Sequence, residues 1–296
     1  MTPVHLLETS DIDLNALSKS SADHKYGHGH ALVLAGGPGK TGAARLAARG
    51  ALRIGAGLVT LGAPPAAYHE SAMHLTAIML RRIEDRSGLA AALEDPRLNA
   101  LCLGPGLGQE RARDLVPAAL TAVRPTVLDA DALSAFADTP DTLFDALHDA
   151  CVLTPHGGEF ARLFPDLAEK LSGRPTSGPA YSRVDAAREA ARRAGCVLLL
   201  KGPDTVIADP DGHCLLNAAV YDRAAPWLAT AGAGDVLAGF ITGLLARGFP
   251  PLKAAGTAAW LHVECARSFG PGLIAEDLPE QLPQVFRELF NGRCNP

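Results

Sequence analysis

Ala229-Thr230-Ala231-Gly232-Ala233-Gly234-Asp235-Val236-Leu237-Ala238-Gly239 carries the reading of this chain. Small residues and glycines run straight into an apolar, helix-periodic stretch, Val236 to Leu245, with one acidic side chain at the junction. A glycine-rich turn that opens a helix leaves N–H groups without intrahelical acceptors. The helix dipole adds partial positive charge there, so the place attracts phosphate. A carboxylate at the same point can take a proton from a hydroxyl beside that phosphate, and phosphoryl transfer needs both parts together. The plainer reading is that Asp235 caps the helix. The short motif by itself leaves both open.

Upstream, short apolar runs alternate with helical patterns. Ala31-Leu34, Leu58-Leu61, Leu101-Leu103, Val127-Leu128, Val152-Leu153 and Val197-Leu200 read as strands covered on both faces. Gly42-Ile54, Glu110-Val123, Ala132-Ala137, Glu159-Leu163 and Ala186-Ala194 read as helices between them. That alternation predicts an α/β fold with a mainly parallel central sheet. Thr205-Ala208 and Cys214-Leu216 flank the turn Asp209-Pro210-Asp211-Gly212 and read as a hairpin. Beyond Gly234 the pattern is helical: Val236-Arg247, Leu252-Ser268 and Glu280-Phe290. Ser172-Gly178 reads as a surface loop. One domain over residues 1–296 is the better count, with residues 1–23 as a leader segment.

The 296 residues, 48% hydrophobic and 20% charged, are long enough to bury a sizeable core. The formal net charge of −5, without any dense Lys/Arg run, argues against nucleic acid or an anionic membrane as partner. None of the six cysteines has CxxC spacing, and Cys102, Cys151 and Cys196 sit in apolar runs as small hydrophobes. No signal peptide and no membrane span is visible, so a cytoplasmic location is expected.

In open α/β sheets ligands bind beyond the carboxyl ends of the strands. The first strand runs into Ala35-Gly36-Gly37-Pro38-Gly39-Lys40-Thr41-Gly42, which ends like a P-loop. Leu34 stands where a P-loop needs its first glycine, so that motif is rejected. Leu103-Gly104-Pro105-Gly106-Leu107-Gly108 lets backbone approach a ligand closely or makes a tight turn. Asp129 and Asp131 end another strand; they read as metal- or water-holding groups, with Asp131 read instead as the cap of the next helix. Thr154-Pro155-His156-Gly157-Gly158-Glu159 presents a hydroxyl, an imidazole and a carboxylate. Lys201 ends a buried strand, where a phosphate would satisfy it. His28-Gly29-His30 lacks a third ligand and reads as a polar lead-in to a strand. Trp260, His262 and Glu264 read as packing or solvent-facing residues.

In this order, His24-Gly27, Thr41-Ala44, Gly55-Thr60, Gly104-Gly108, Leu128-Asp131, Thr154-Glu159, Lys201-Gly202 with Thr205, and Gly232-Gly239 resemble the ADP/ATP-dependent NAD(P)H-hydrate dehydratases. That family lies within the ribokinase-like superfamily, so the resemblance implies a three-layer α/β/α fold. It implies ADP-dependent dehydration of the S-epimer of NAD(P)H hydrate, giving AMP and phosphate. It also implies a Mg²⁺ ion on the phosphates, a homotetramer, and work beside an NAD(P)H-hydrate epimerase, either separate or fused. Donor (ADP or ATP) and cofactor preference stay open. Carried over by position, Ala56, Gly106, His156 and Asp235 would contact the hydrate, with Asp235 as base. Lys201, Gly202, Pro203, Asp204, Thr205 and Gly234 would hold the nucleotide; no protein metal ligand is implied. Two departures stand out: Ala233 replaces a Thr or Ser, and Ala224-Leu228 keeps only the proline of a glycine-rich run. The alternatives are a kinase of the same fold acting on a hydroxymethylpyrimidine or hydroxyethylthiazole, and a non-catalytic nucleotide-binding module.

Overall fold

A computed structural model of the chain describes residues 3–173 and 179–292. Among these, ten strands form one sheet. They are β1 (Val4–Leu6), β2 (His30–Leu34), β3 (Leu58–Ala63), β4 (Met79–Arg82), β5 (Leu98–Leu103), β6 (Thr126–Leu128), β7 (Cys151–Leu153), β8 (Val197–Leu200), β9 (Asp204–Ala208) and β10 (Cys214–Ala218). The order across the sheet is β1-β10-β9-β8-β7-β6-β5-β2-β3-β4. Only β9 runs against its neighbours. Every other pairing is parallel.

The helices are α1 (Leu14–Leu17), α2 (Gly42–Arg53), α3 (Pro65–His74), α4 (Arg86–Leu93), α5 (Gln109–Leu120), α6 (Asp131–Ser134), α7 (Pro140–Phe144), α8 (Gly157–Leu163), α9 (Pro165–Ser172), α10 (Arg183–Ala194), α11 (Ala233–Ala246), α12 (Pro251–Phe269) and α13 (Asp277–Phe290). Two separate cores follow from the sheet's two faces. α2, α11, α12 and α13 bury one face, around Val33, Phe240 and Ile241. α4, α5, α8, α9 and α10 bury the other, around Leu101, Phe160 and Leu198. The result is a three-layer α/β/α fold. No helix among the described residues is long and apolar enough to cross a membrane.

Strand pattern explains which elements sequence reading finds. The six apolar runs are all strands, and Val197–Leu200 is bounded as expected. The hairpin is β9–β10. β4 has no apolar run, because Met79–Arg82 is a half-exposed edge strand. β1 is likewise an exposed edge strand, supplied by the segment read as a leader; that segment also places Leu7, Ile12 and Leu17 in the core. Of the Ser172-Gly178 loop, residues 174–178 lie outside the described residues.

One seam sets the site's frame. A Cβ on Gly239 would lie 2.1 Å from the Ala47 carbonyl oxygen, and one on Gly243 would lie 2.6 Å from that of Ala51. The contacts advance together along both helices, so α2 and α11 run parallel at a separation only glycine allows. Both therefore start at the carboxyl edge of the sheet. The strand order reverses at β2, with β3 and β4 to one side and β5 to β8 to the other. Open α/β sheets bind ligands at such a switch point.

Candidate active site

At the start of α11, Gly232 takes a left-handed conformation, φ +89°, and no side chain caps the helix. The N–H groups of the first turn, Gly234 and Asp235 among them, have no intrahelical acceptor. Asp235 sits in that turn, half-buried, and its carboxylate has no hydrogen-bond partner among the described residues. It is not the cap. Burial pushes its pKa up to about 7, with the Asp129 carboxylate adding to the rise, Lys201 opposing it, and Asp131 and Glu159 adding further. A carboxyl that titrates at neutral pH beside naked N–H groups is suited to general-base work. From α12, His262 Nε2 donates to the Ala233 carbonyl at 2.8 Å and steadies the turn. Its burial pulls its pKa down to about 4, so the ring is neutral.

A polar cluster lies under this turn. The Lys201 ammonium is 2.7 Å from Asp129 Oδ1 and 4.0 Å from a Glu159 oxygen. A Cβ on Gly234 would be 3.4 Å from it. Burial alone would push the ammonium's pKa down; Asp129, Glu159 and Asp235 more than offset this, and it lies above its ordinary value. Burial also raises Glu159, with Lys201 opposing and Asp129 reinforcing. Thr154 donates its hydroxyl to the same Asp129 oxygen at 2.8 Å.

Helix starts show what each remaining residue does. His156 is the N-cap of α8: its Nδ1 accepts from the Gly158 and Glu159 N–H groups, while Glu159 accepts the His156 N–H at 2.9 Å. Nδ1 is thereby an acceptor and the ring proton sits on Nε2, on a side chain 55% exposed. Asp131 does not cap α6. It lies in the first turn, and its carboxylate accepts the Gly108 N–H at 2.8 Å, pinning the glycine turn after β5. Between the two aspartates, Ala130 is held at φ +47°, a strain of about 1–3 kcal/mol for a residue with a side chain.

The two glycine turns touch. A Cβ on Gly36 would meet the Gly106 carbonyl oxygen at 2.0 Å; one on Gly106 would meet that of Lys40 at 2.8 Å and Ala43 Cβ at 3.2 Å. Glu70, on α3, ties down the first turn by accepting from Gly39 N–H at 2.8 Å and from the Thr41 hydroxyl at 2.5 Å. Nothing in the sequence around Glu70 signals that role. After β8, Thr205 near the start of β9 donates to the Gly202 carbonyl at 2.9 Å, Arg183 donates to those of Leu200 and Lys201, and Pro203 and Asp204 are exposed. A cavity of about 370 Å³ opens beside the motif, between Pro226-Thr230 and Gly272-Ile274.

The carboxyl edge thus brings together Gly106, His156, Lys201, Gly202, Pro203, Asp204, Thr205, Gly234 and Asp235. Ala56 is the exception and its reading is corrected. It follows α2 and precedes β3, so it lies at the amino edge of the sheet, 2% exposed. The Gly55-Thr60 segment is constrained for structural reasons there: a Cβ on Gly57 would fall 1.6 Å from the Lys25 carbonyl oxygen. The alanine that borders Gly106 is Ala43.

A mostly parallel sheet walled by helices, with an uncapped Gly-Ala-Gly-Asp helix start over its switch point, makes a three-layer α/β/α protein whose fold matches that of a ribokinase-like superfamily protein from Enterococcus faecalis at a TM-score of 0.75 and 19% identity, covering 97% of this chain and 96% of the other. Comparison with known sequences narrows the class: the sequence model of the NAD(P)H-hydrate dehydratase family matches residues 31–284, and the chain belongs to that family. A bifunctional NAD(P)H-hydrate repair enzyme Nnr from Moorella thermoacetica is 40% identical over 92% of this chain and 52% of its own. An ADP-dependent (S)-NAD(P)H-hydrate dehydratase from Bacillus subtilis is 34% identical over 91% of this chain and 93% of its own. The crystal structure of the ADP/ATP-dependent dehydratase from that organism, co-crystallised with ATP/Mg²⁺, superposes with a TM-score of 0.76 at 30% identity, covering 98% of this chain and 100% of the other. The chain spans about half the length of the bifunctional relatives it matches.

Proposed function

We propose that this chain dehydrates (S)-NAD(P)H hydrate to NAD(P)H at the expense of ADP, giving AMP and phosphate. The observation that carries the reading is Asp235, an unpartnered carboxyl in the uncapped first turn of α11, whose pKa burial pushes up to about 7. In the first act Asp235 takes the proton of the ring 6-hydroxyl as that oxygen attacks the terminal phosphoryl of the nucleotide. The N–H groups of Ala231, Gly232 and Gly234 would stabilise the charge on the phosphoryl in transit, while that of Ala233 donates to the Thr230 carbonyl at 3.5 Å. In the second act the C–O bond breaks toward the phosphate, pushed by the ring nitrogen's lone pair. The hydroxyl oxygen leaves with phosphate, the resulting iminium loses its C5 proton to the departing phosphate or to water, and the ring regains its C5–C6 double bond.

Gly106, His156 and Asp235 are proposed to line the hydrate, with Ala43 in the place first read for Ala56. His156 offers its Nε2–H as a donor. Lys201 to Thr205 and Gly234 are proposed to hold the nucleotide. The nucleotide would bring its Mg²⁺ with it; the three-ligand cluster found among the described residues, Asp209, Asp211 and His213, sits at the hairpin turn on the opposite edge and is not read as its site. The ion's oxygens would come from phosphates and water, as is usual for Mg²⁺, and it would neutralise phosphate charge. Partnership with an epimerase that interconverts the hydrate's epimers, and a homotetrameric state, belong to the same proposal.

Purified protein, Mg²⁺ and hydrated NADH or NADPH, with ADP or ATP in parallel, should regain reduced-nicotinamide absorbance. The acid limb of kcat/KM against pH should fall at about 7, because Asp235 must be deprotonated. Recovery with ATP and none with ADP would keep the reaction and overturn the donor. No recovery with either, from protein that binds ADP, would move the assignment to a kinase of a pyrimidine or thiazole alcohol.

A further inference from the structure

Asp129 is 1% exposed and is held in place by everything around it. Its N–H donates to the Leu103 carbonyl at 3.1 Å. Gly104 packs so closely that a Cβ would fall 1.6 Å from the Asp129 carbonyl oxygen. Ala130, the next residue, occupies a left-handed backbone region that side-chain-bearing residues rarely adopt. Thr154 and Lys201 both donate to one oxygen of the Asp129 carboxylate, at 2.8 and 2.7 Å. Strain and close packing of this kind mark a side chain whose position matters.

We propose that Asp129 is a positioning residue: by tethering the Lys201 ammonium beneath the Gly234–Asp235 turn, it limits the positive charge that reaches Asp235 and so governs how readily that carboxylate holds a proton. The proposal rests on the reading of Asp235 as the base. The charged and titratable groups that act on Asp235 come from five elements: Cys102 of β5, Asp129 at the end of β6, Asp131 of α6, Glu159 of α8 and Lys201 at the end of β8; His262 of α12 binds the Ala233 carbonyl two residues away. Cys102 stays protonated, since burial pushes its thiol up to about 12, and His262 is neutral. Within this set Lys201 is the one cation, and α2 sets the apolar Leu46 close to Gly232. With its charge engaged by Asp129, the ammonium leaves Asp235 able to bind a proton near neutral pH. A free ammonium would favour the charged carboxylate and weaken the base.

Carbon-13 NMR of the full chain labelled at aspartate carboxyls tests this without turnover, the Asp235 signal being assigned by its loss in Asp235→Asn. In the unsubstituted chain the signal should titrate near 7. Asp129→Asn keeps both acceptor bonds and removes the charge; the midpoint should fall by roughly one pH unit, tenfold in acid strength. Asp129→Asn with Lys201→Met removes the pair together, and the midpoint should return most of the way. Equal midpoints in the single and double variants, or an unmoved midpoint in the single, would overturn the proposal. If Asp129→Asn does not fold, Lys201→Met alone decides: the midpoint must rise, and one that stays or falls overturns it. The acid limb of kcat/KM should track the NMR midpoints, whereas a purely structural Asp129 would lower the rate at every pH. Failure of the hydrate to react at all, with the midpoints moving as stated, would sink the dehydratase reading and leave the Asp129 tether standing.

Discussion

The two ends of α11 are built by opposite rules. At its carboxyl end the Arg247 guanidinium donates to the carbonyls of Ile54, Ala16 and Ser18 at 3.2, 2.7 and 3.1 Å, and Asn99 donates to that of Ala246 at 2.7 Å. Polar groups there are consumed by the fold. At its amino end no side chain caps the helix, and Asp235 keeps its oxygens free. Across the sheet both edges carry strained backbone, Val123 at the amino edge and Ala130 at the carboxyl edge, and it is the site's glycine turns and the unmatched Asp235 carboxylate that set the carboxyl edge apart. Stability and chemistry are assigned to different ends of shared elements, joined by the glycine seam of α2 and α11.

That division can be broken by substitution at either end. The largest effect is expected at the open end. Asp235→Asn keeps the shape but cannot take the proton, so turnover should fall by roughly 10²–10⁴, with ADP affinity nearly unchanged. Steady-state rates and calorimetry would check this, and a rate near that of the parent chain would reduce Asp235 to a packing residue. At the fastened end, Arg247→Met should leave kcat alone and cost about 2–3 kcal/mol, because three carbonyls lose their donor. A drop in Tm of roughly 4–10 °C is the expected reading; a change in kcat without a change in Tm would erase the contrast.

The smallest effect joins the two. The raised pKa of Asp235 means that the folded chain binds a proton more tightly than the unfolded one. The parent chain therefore loses stability as pH climbs from about 4, the ordinary aspartate value, to about 7, and an asparagine does not. Asp235→Asn should raise Tm at pH 8 by roughly 2–4 °C, with the gain vanishing near pH 4. Thermal melts at both pH values would show it, and an equal Tm at pH 8 would mean that Asp235 is not held protonated by its surroundings.

Much of this was legible in the residues. Buried parallel strands are continuous apolar runs, so the central strands stand out from the sequence, as does the hairpin of β9 and β10. Edge strands carry no such run, which is why β1 and β4 are silent. The site shows the same split. Gly234 and Asp235 are recognisable because a local turn and a helix start lie within a few residues of one another. The Asp129–Lys201 pair spans 72 positions, and Glu70 acts on a turn about thirty residues away; pairings of that reach exist only once the sheet is assembled. Asp131 misleads because a carboxylate in a first helical turn looks like a cap, although its acceptor role is directed at Gly108. Ala56 misleads for a different reason: its glycine-rich neighbourhood is constrained by backbone crowding at the edge remote from Asp235.

β1 pairs with β10, whose residues follow it by some two hundred positions. During synthesis Val4–Leu6 emerges before any other described strand and has no partner to join until Cys214–Leu216 leaves the ribosome. The first of the described strands is therefore among the last that can be placed, and Leu7, Ile12 and Leu17 stay uncovered while β2 to β9 are made. Until β10 is made, that apolar segment stays unmet and open to a holding chaperone.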